Sequence, residues 1–217
     1  MTGTAPVIRR YQSGDRAAVR TICCDTAGCG EPVEHFFPDR EVFADLVARY
    51  YTDYEPTSSW VADCGGQVAG YLNGCLDTQR FTRVMALRVL PRLMAKALVR
   101  GILLRPQARR FVALNGPLWM HPDHKMANEK PYPAHFHVNL NPAFRARHAG
   151  TALVETFLSY LHDANIPGVH INVREDNVRG RAFFEHFGFV AVARYPFMRM
   201  PSRPEVVLYS VLYGKRL

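Results

Sequence analysis

The amino-acid sequence predicts an α/β domain whose mixed sheet is interrupted once by a helical insertion. Segments of alternating polar and apolar residues are interleaved with segments of helical periodicity along the 217 residues, and one alternating strand leads through a short loop into a strongly amphipathic helix. With 48% hydrophobic residues, the chain is long enough to bury one substantial core. We therefore expect one domain spanning residues 1–217.

The periodicity of apolar side chains gives the order of the elements. Strands alternate between apolar and polar residues, helices repeat apolar residues every three or four positions, and paired glycines mark a tight turn. The sequence predicts a strand at residues 6–12, helices at 14–27 and 38–51, a hairpin of 60–64 and 67–76 around Gly65-Gly66, a strand ending at Pro142, a helix at 149–164, a strand at 168–174, a helix at 178–187, and final strands at 189–195 and 205–213.

A basic insertion at residues 78–132 interrupts this order. No acidic residue stands between Asp77 and Asp123, and this stretch carries nine basic residues. The whole chain has 27 basic and 19 acidic residues, so 18 basic residues remain against 19 acidic ones elsewhere, and the net charge of +8 arises from this stretch. Its apolar residues fall at helical spacing, and we expect Pro91 and Gly101 to break the run into pieces. The nine cationic residues are Arg80, Arg83, Arg88, Arg92, Lys96, Arg100, Arg105, Arg109 and Arg110.

A basic loop at residues 145–152 reads Arg-Ala-Arg-His-Ala-Gly-Thr-Ala and leads into the amphipathic helix. N–H groups at a helix N-terminus lack intrahelical partners and carry partial positive charge, so a phosphate can accept several hydrogen bonds there. We expect Gly150 to adopt backbone angles that a Cβ would forbid. The loop therefore predicts a pyrophosphate site. The small residues Ala149, Thr151 and Ala152 allow the phosphates to approach the backbone closely, and Arg145 and Arg147 can donate charge-assisted hydrogen bonds to them. It has neither the P-loop pattern nor the dinucleotide-binding glycine pattern.

These residues resemble a known family. Residues 147–152, Arg-His-Ala-Gly-Thr-Ala, resemble the Gln/Arg-x-x-Gly-x-Gly/Ala signature of the GNAT superfamily of acetyl-CoA-dependent N-acetyltransferases. Residues 169–177 and 181–189 follow at the expected distance and resemble the superfamily's next strand, its Asn-bearing loop and its helix ending in Gly-Phe. The resemblance covers residues 134–217 well. It implies a GNAT-like, mostly antiparallel sheet flanked by helices.

A closer resemblance extends to the C-terminal acetyltransferase-like domain of O-GlcNAcase and its free-standing bacterial relatives. It rests on the Ile-Arg-x-Tyr of residues 8–11, the Asp-x-x-Ala-Val-x-x-Ile-Cys of residues 15–23, and the long interruption before the strand that precedes the basic loop. Because acyl-CoA binding and transfer vary within that group, this resemblance supports the fold more than the activity.

The GNAT resemblance implies where acetyl-CoA would bind. The pantetheine arm would pair with the main chain of Val138 and Leu140, and a backbone N–H of the same strand could hold the oxyanion of the tetrahedral intermediate. The pyrophosphate would bind the basic loop, including His148. Asn177 matches the superfamily's Asn and would bind cofactor amides or cap the following helix. No metal is expected.

The candidate general bases are few. His135 and His137 share one face of the strand that would carry the thioester, and a near-neutral histidine can accept an amine proton directly or through water. The polar face of an alternating strand can equally border a groove or solvent without a catalytic role. Asp176 and Glu175, in the loop after the next strand, are the alternatives.

Phe184 departs from the family pattern. In Tyr-x-x-x-Gly-Phe, the superfamily's tyrosine donates a proton to the leaving thiolate, but this chain reads Phe184-Glu-His-Phe-Gly-Phe. Because general-acid catalysis contributes about 10²- to 10⁴-fold, its loss would slow transfer without preventing it. His186 is the nearest titratable neighbour, but it should face elsewhere on the helix. Phe184 would otherwise be a core residue beside the cofactor.

Three interpretations of the basic insertion remain open. The simplest is a helical segment whose apolar face packs on the sheet while its arginines are solvated. The second is a surface for an acidic partner or for the phosphates of CoA. The third is binding to a membrane surface or to nucleic acid, and no recognised nucleic-acid motif supports the latter.

Two functions from different classes follow. The first is direct acetyl transfer from acetyl-CoA to a small-molecule or peptide amine, and the second is a non-catalytic acyl-CoA-binding or interaction domain. The sequence does not name the acceptor, and a homodimer is left open.

Without an 18-residue apolar stretch or a signal pattern, a cytoplasmic protein is expected. The odd set of five cysteines predicts reduced thiols: Cys23, Cys24, Cys29, Cys64 and Cys75. Cys23, Cys24 and Cys29 could form a metal site, but a helix that carries small apolar thiols is favoured.

Overall fold

The computed structural model describes residues 6–119, 131–144 and 148–217. In these ranges the strands are β1 Val7–Arg10, β2 Ser59–Cys64, β3 Gln67–Cys75, β4 Ala134–Leu140, β5 Gly168–Arg174, β6 Val190–Met200 and β7 Arg203–Arg216. The helices are α1 Arg16–Asp25, α2 Arg40–Asp53, α3 Thr78–Val84, α4 Leu90–Val99, α5 Pro106–Trp119, α6 Ala149–Asp163 and α7 Val178–His186. The predicted order of strands and helices is confirmed.

The seven strands of the described chain form one sheet in the order β1-β2-β3-β4-β5-β7-β6. Every neighbouring pair is antiparallel except β4 and β5, which run parallel. The prediction of a mixed, mostly antiparallel sheet flanked by helices is therefore confirmed. The last two strands are longer than predicted, because β6 and β7 stay paired as far as Met200 and Arg203.

The two faces of the sheet bury two different cores. Helix α6 packs its apolar face, including Leu153 and Phe157, against Trp60 and Phe136 on one side. Helices α1 and α2 cover the opposite face, with α1 packing on Val61 and its neighbours. Since side chains alternate across a strand, the odd-numbered residues of β4 face the α1–α2 side and its even-numbered residues face α6.

The described part of the basic insertion is helical, but Pro91 does not break it as predicted. Backbone hydrogen bonding continues from α3 through a π-helical segment, Met85–Val89, into α4, where Pro91 lies in the first turn. Proline lacks an N–H and its ring collides with the preceding turn, and the wider π turn tolerates both defects. Gly101 ends the helix as predicted, with a φ of 60°.

The insertion packs on α2 through its first helices and on the sheet through α5, whose Asn115 side chain accepts the Arg199 N–H of β6 at 2.7 Å. The simplest interpretation, packing on the sheet, therefore holds for α5 and not for α4. Met85 and Val89 contact Tyr50 and Tyr51, while Leu93 contacts Val42. Lys96 and Arg100 pair with acidic residues of α2 and its N-cap, so part of the positive charge is neutralised within the fold. Arg83, Arg88, Arg109 and Arg110 have no partner among the described residues. Of the described helices, none combines the length and apolarity that a membrane span requires.

Asp39 connects the insertion to α2. Its carboxylate caps α2 by accepting the Val42 N–H at 3.0 Å, and it accepts from the Arg100 guanidinium at 2.9 Å. Burial alone would raise the pKa of Asp39, but the Val42 N–H and the guanidinium groups of Arg100 and Arg105 outweigh it and lower the pKa. A carboxylate with a lowered pKa stabilises the fold above its unfolded pKa of about 3.9, and this contribution is lost as pH falls through the folded value.

Replacing Asp39 with alanine should lower the free energy of unfolding at pH 7 by about 2 kcal/mol, of which a lost N-cap accounts for about 1. Asp77→Ala is the matched control, because Asp77 caps α3 and has no ion pair among the described residues. Urea denaturation of both variants should show the larger loss for Asp39→Ala at pH 7 and a smaller difference at pH 3. Equal losses at pH 7 would contradict the role of Asp39 as an anchor of the insertion.

Candidate active site

A cleft opens between β4 and β5 because these parallel strands diverge. Within the described residues they pair only at Ala134 with Val169 and at His135 with His170. Beyond His135, β4 keeps its other neighbour, β3, as far as Leu140. One edge of β4 is therefore unpaired over its second half.

Backbone alternation identifies the groups that face this cleft. The Asn141 N–H donates to the Ala69 carbonyl at 2.9 Å, which directs the odd-numbered main-chain groups of β4 toward β3. The main-chain N–H and C=O groups of Val138 and Leu140 consequently face the cleft, where they have no strand to pair with. An extended ligand can pair with them as an added strand would.

The N-terminus of α6 lies at the end of this strand. The first intrahelical bond runs from the Ala152 N–H to the His148 carbonyl at 3.0 Å, and the side chain of the N-cap residue, His148, does not cap the helix. The N–H groups of Ala149, Gly150 and Thr151 are therefore without intrahelical partners, as a phosphate site requires. Arg145 and Arg147 lie outside the described residues.

The predicted reason for Gly150 is wrong. Gly150 has ordinary helical geometry, and the positive φ of this loop, 56°, belongs to His148. A Cβ on Gly150 would lie 3.2 Å from Leu140 Cδ1, so the absence of a side chain allows α6 to approach the strand that borders the cleft. The small residue brings the helix N-terminus close to β4.

Asn177 caps α7, one of the two roles expected of it. Its side-chain oxygen accepts the Gly180 N–H at 3.0 Å. The cap requires glycine at position 180, because a Cβ there would lie 2.5 Å from the Asn177 side-chain nitrogen. Asn177 also lines the pocket described next.

The cleft continues into a pocket of about 590 Å³ beneath α1 and α2. At the cleft end it is bordered by Val138, Asn139, Ile171, Asn172, Val173, Asn177 and Phe184, and at the far end by aromatic and aliphatic residues of α2, α5, β6 and the loop before α2. Among the described residues, the far wall comprises Phe36, Phe37, Val42, Phe43, Leu46, Val47, Phe111, Val112, Phe197 and Met198. We call this far end the apolar pocket.

His137 faces the pocket. Its Nδ1 lies 3.1 Å from the Tyr71 hydroxyl, which also accepts from the Asn139 side-chain amide at 3.3 Å. Nε2 has no hydrogen-bond partner in the described part of the chain. Burial lowers the pKa of His137 to about 4, so the imidazole is neutral at pH 7 and can accept a proton.

His135 is unsuited to the same role, although it shares the face. Its Nε2 lies 2.9 Å from the Tyr51 hydroxyl and its Nδ1 lies 2.7 Å from Thr78 Oγ1, so both ring nitrogens are engaged. Burial and the neighbouring His170 lower its pKa to about 3. His135 is not among the described residues that line the pocket, and it acts as a structural link between β4, α2 and α3.

The two acidic alternatives are held in surface ion pairs. Asp176 accepts from Arg174 Nε at 2.9 Å, and Glu175 accepts from Arg194 Nε at 2.7 Å. The arginine hydrogen bonds lower the pKa of both carboxyls. A carboxylate with a lowered pKa is a weaker base, and the structure does not bring Asp176 or Glu175 to the pocket wall, so the proposed catalytic role of Asp176 loses its support.

Phe184 combines a core position with a place on the pocket wall. It is buried against Phe136, Phe183 and Phe189, with ring centroids 5.1 to 5.9 Å apart. The Tyr195 hydroxyl donates at 2.6 Å to the side-chain oxygen of Asn172, a residue that lines the cleft end. His186 is exposed on the other side of α7, as predicted.

Three contributors to the site were missed from sequence. Tyr71, the partner of His137, is 66 residues away from it along the chain, and only the β3–β4 register joins them. Asn172 was read as part of a strand and not as a polar group in the cleft. The Phe36-Phe37 doublet was the one visible signal of the apolar pocket, because adjacent aromatic residues outside a helix or strand are unusual in a solvated loop.

Comparison with known proteins relates this geometry to a family. Residues 116–189 match the model of the acetyltransferase (GNAT) family. The matched segment contains β4, the cleft, the N-terminus of α6 and the helix that carries Phe184.

Solved structures extend the similarity to the whole chain. SsHAT shares 29% identity over 98% of this chain and 98% of its own, with a TM-score of 0.71. The yncA protein from Salmonella typhimurium, solved with its cofactor acetyl-CoA, shares 14% identity over 99% of this chain and 95% of its own, with a TM-score of 0.56. Drosophila melanogaster polyamine N-acetyltransferase shares 14% identity over 98% of this chain and 100% of its own, with a TM-score of 0.57. The chain has the fold of the GNAT acetyltransferases, and its segment 116–189 carries their sequence pattern.

Proposed function

We propose that this protein is an acetyl-CoA-dependent N-acetyltransferase that transfers the acetyl group directly to an amine. The observation that carries this proposal is the cleft. In the described residues the main chain of Val138 and Leu140 has no strand to pair with on this side, and the N-terminus of α6 lies at the end of the cleft. The residues present fit the donor, because an extended pantetheine arm needs strand-like partners and a pyrophosphate needs converging N–H groups.

The reaction needs few groups from the protein. The amine nitrogen attacks the thioester carbonyl carbon, the C–S bond breaks, and the nitrogen loses one proton while the CoA thiolate gains one. A cleft-facing N–H of β4 is suited to hold the oxyanion, and Val138 and Leu140 are the candidates. His137 is neutral at pH 7 and faces the pocket, so it is the best-supported acceptor of the amine proton.

The second candidate function is an acyl-CoA-binding domain without transfer. Phe184 favours it, because the position where the family pattern has a tyrosine offers no proton to the leaving thiolate. The resemblance to the O-GlcNAcase-related group points the same way, and membership of that group stays a proposal. The cleft and the helix N-terminus support cofactor binding under both functions.

Two measurements on the full chain separate these functions. Calorimetric titration with acetyl-CoA tests the cleft, and CoA release in the presence and absence of an amine panel tests transfer. We expect binding together with amine-dependent release. Binding without release from any amine would favour the second function, and absence of binding would contradict both.

The basic loop can be tested by charge at a single position. Thr151 is the third residue of α6, where a glutamate should favour the helix dipole but repel the pyrophosphate. Thr151→Glu should therefore bind acetyl-CoA about tenfold more weakly than Thr151→Gln, while its melting temperature is equal or higher. The glutamine variant separates the added charge from the loss of the threonine hydroxyl. Equal affinities of the two variants would contradict a phosphate at this helix N-terminus.

A further inference from the structure

The apolar pocket is distinct from the cleft end that would hold the donor. Its walls come from α2, α5, β6 and the loop before α2, whereas the cleft groups come from β4, β5 and the start of α6. Phe111 lies 5.8 Å from Phe36 and 5.7 Å from Phe37 between ring centroids, which makes the aromatic wall continuous. A ligand in this space would meet aromatic rings on one side and the open end of the cleft on the other.

Three apolar side chains at the rim are partly exposed and share this one pocket. Leu46 of α2, Val112 of α5 and Phe197 of β6 are 42%, 42% and 38% exposed, and all three line the same pocket. A rim of this kind on three separate elements is typical of a surface that an apolar ligand covers.

Several polar side chains of the pocket are engaged in hydrogen bonds or ion pairs within the fold. Thr26 donates to the Ile22 carbonyl, Ser210 donates to the Val173 carbonyl, and Arg174 is paired with Asp176. No carboxylate occurs among the described lining residues. A second ammonium on a ligand would therefore find no counter-charge on the described walls, and burying it would be costly.

We propose that the acceptor is a monoamine with an aromatic or branched apolar body, whose body fills the apolar pocket and whose single amino group points to the cleft. This inference rests on the proposed function. His137 Nε2, Asn139 Oδ1 and Asn172 Nδ2 have no partner in the described chain, and they are the groups available to the amine. The apolar wall also disfavours the ammonium form, so the neutral, nucleophilic amine is the species bound.

The first experiment compares acceptors on the full chain with saturating acetyl-CoA. The kcat/KM for 2-phenylethylamine should exceed that for ethylamine by at least about 10²-fold, because each methylene lost from an apolar pocket costs about tenfold or more. Spermidine and putrescine should be poorer acceptors than 2-phenylethylamine. A preference for either polyamine or for ethylamine would overturn the inference, and so would a preference for hexanoyl-CoA over acetyl-CoA as donor, because a long acyl chain would then fill the pocket.

A paired substitution locates the preference. Leu46→Asp adds a carboxylate at the rim and should lower kcat/KM for 2-phenylethylamine about tenfold, while it improves putrescine relative to 2-phenylethylamine. Leu98→Asp is the matched control, because Leu98 is a 75% exposed leucine on α4 that does not line the pocket. Equal effects of the two substitutions would overturn the assignment of the acceptor to this pocket.

Failure of the inference is distinguishable from failure of the proposed function. If acetyl-CoA binds but no amine is acetylated, the proposed function fails, and calorimetric titration of 2-phenylethylamine into the protein with CoA present then decides the inference. Binding that Leu46→Asp weakens and Leu98→Asp does not would support an apolar amine site. Absence of binding would overturn it.

Discussion

Replacing His137 with alanine should lower kcat for acetyl transfer by about 10²-fold and leave the Kd for acetyl-CoA nearly unchanged. The expected loss is at the low end for a general base, because a histidine with a pKa of about 4 has a small driving force for accepting a proton. His162→Ala is the control, since the His162 side chain is 81% exposed at the end of α6. Equal kcat values for both variants would contradict a catalytic role of His137.

The pH dependence of kcat provides an independent readout of the same residue. A base must be neutral to act, and burial lowers the pKa of His137, so its contribution should persist on acidification and decline only as pH approaches about 4. An ordinary histidine would give an acidic limb near 6.5. The profile should be taken on kcat at saturating amine, because kcat/KM also reports ionisation of the free amine. A limb near 6.5 that disappears in the His137→Ala variant would contradict the desolvated environment of this ring.

The weak basicity of His137 is consistent with an apolar acceptor site. A strong base is needed when the substrate arrives as an ammonium ion, whose proton is held with a pKa far above that of His137. An apolar pocket lowers the pKa of a bound amine for the same reason that burial lowers the pKa of His137. The proton that remains to be removed belongs to the nitrogen after attack, when it carries positive charge and is far more acidic. An apolar pocket that binds the neutral amine therefore needs only a weak base such as His137.

The sequence predicted the elements that carry strong local patterns. The alternation of residues 135–141 and the helical spacing after residue 149 gave β4 and α6 nearly to the residue, because each pattern reflects burial of one face. The π-helical segment before Pro91 was missed, since the local rule for proline does not include the compensation that a wider turn allows. The packing of the insertion on α2 was missed because it depends on ion pairs such as Lys96 with Asp45, 51 residues apart.

The site was predicted where its chemistry resides in the main chain or in one loop. Val138 and Leu140 follow from strand alternation together with the family resemblance, and Asn177 follows from its preference for helix N-caps. The choice between His135 and His137 could not be made from sequence, because both have the same parity on one strand. Only the tertiary contacts of Tyr51 and Thr78 with His135 separate the engaged ring from the available one.

Phe184→Tyr should raise the rate of acetyl transfer by about 10²-fold, the low end of the contribution of a general acid. Phe184 is a lining residue at the cleft end, so we expect a hydroxyl added to this ring to reach the leaving sulfur. Phe183→Tyr is the matched control, because Phe183 is the adjacent phenylalanine on α7 and does not line the pocket among the described residues. The measurement is CoA release with and without 2-phenylethylamine, with acetyl-CoA affinity determined separately.

The comparison of Phe184→Tyr with Phe183→Tyr also decides between the two functions. If the protein is an enzyme that lacks its usual acid, only the hydroxyl at position 184 has a thiolate to protonate, and amine-dependent release rises in that variant alone. If the protein binds acyl-CoA without transferring it, neither hydroxyl increases release, because protonating a leaving group has no effect when no amine attacks. A wild-type protein that already transfers rapidly and gains nothing from Phe184→Tyr would show that another group protonates the thiolate. Tyr195, whose hydroxyl donates to the cleft residue Asn172, would then be the residue to substitute.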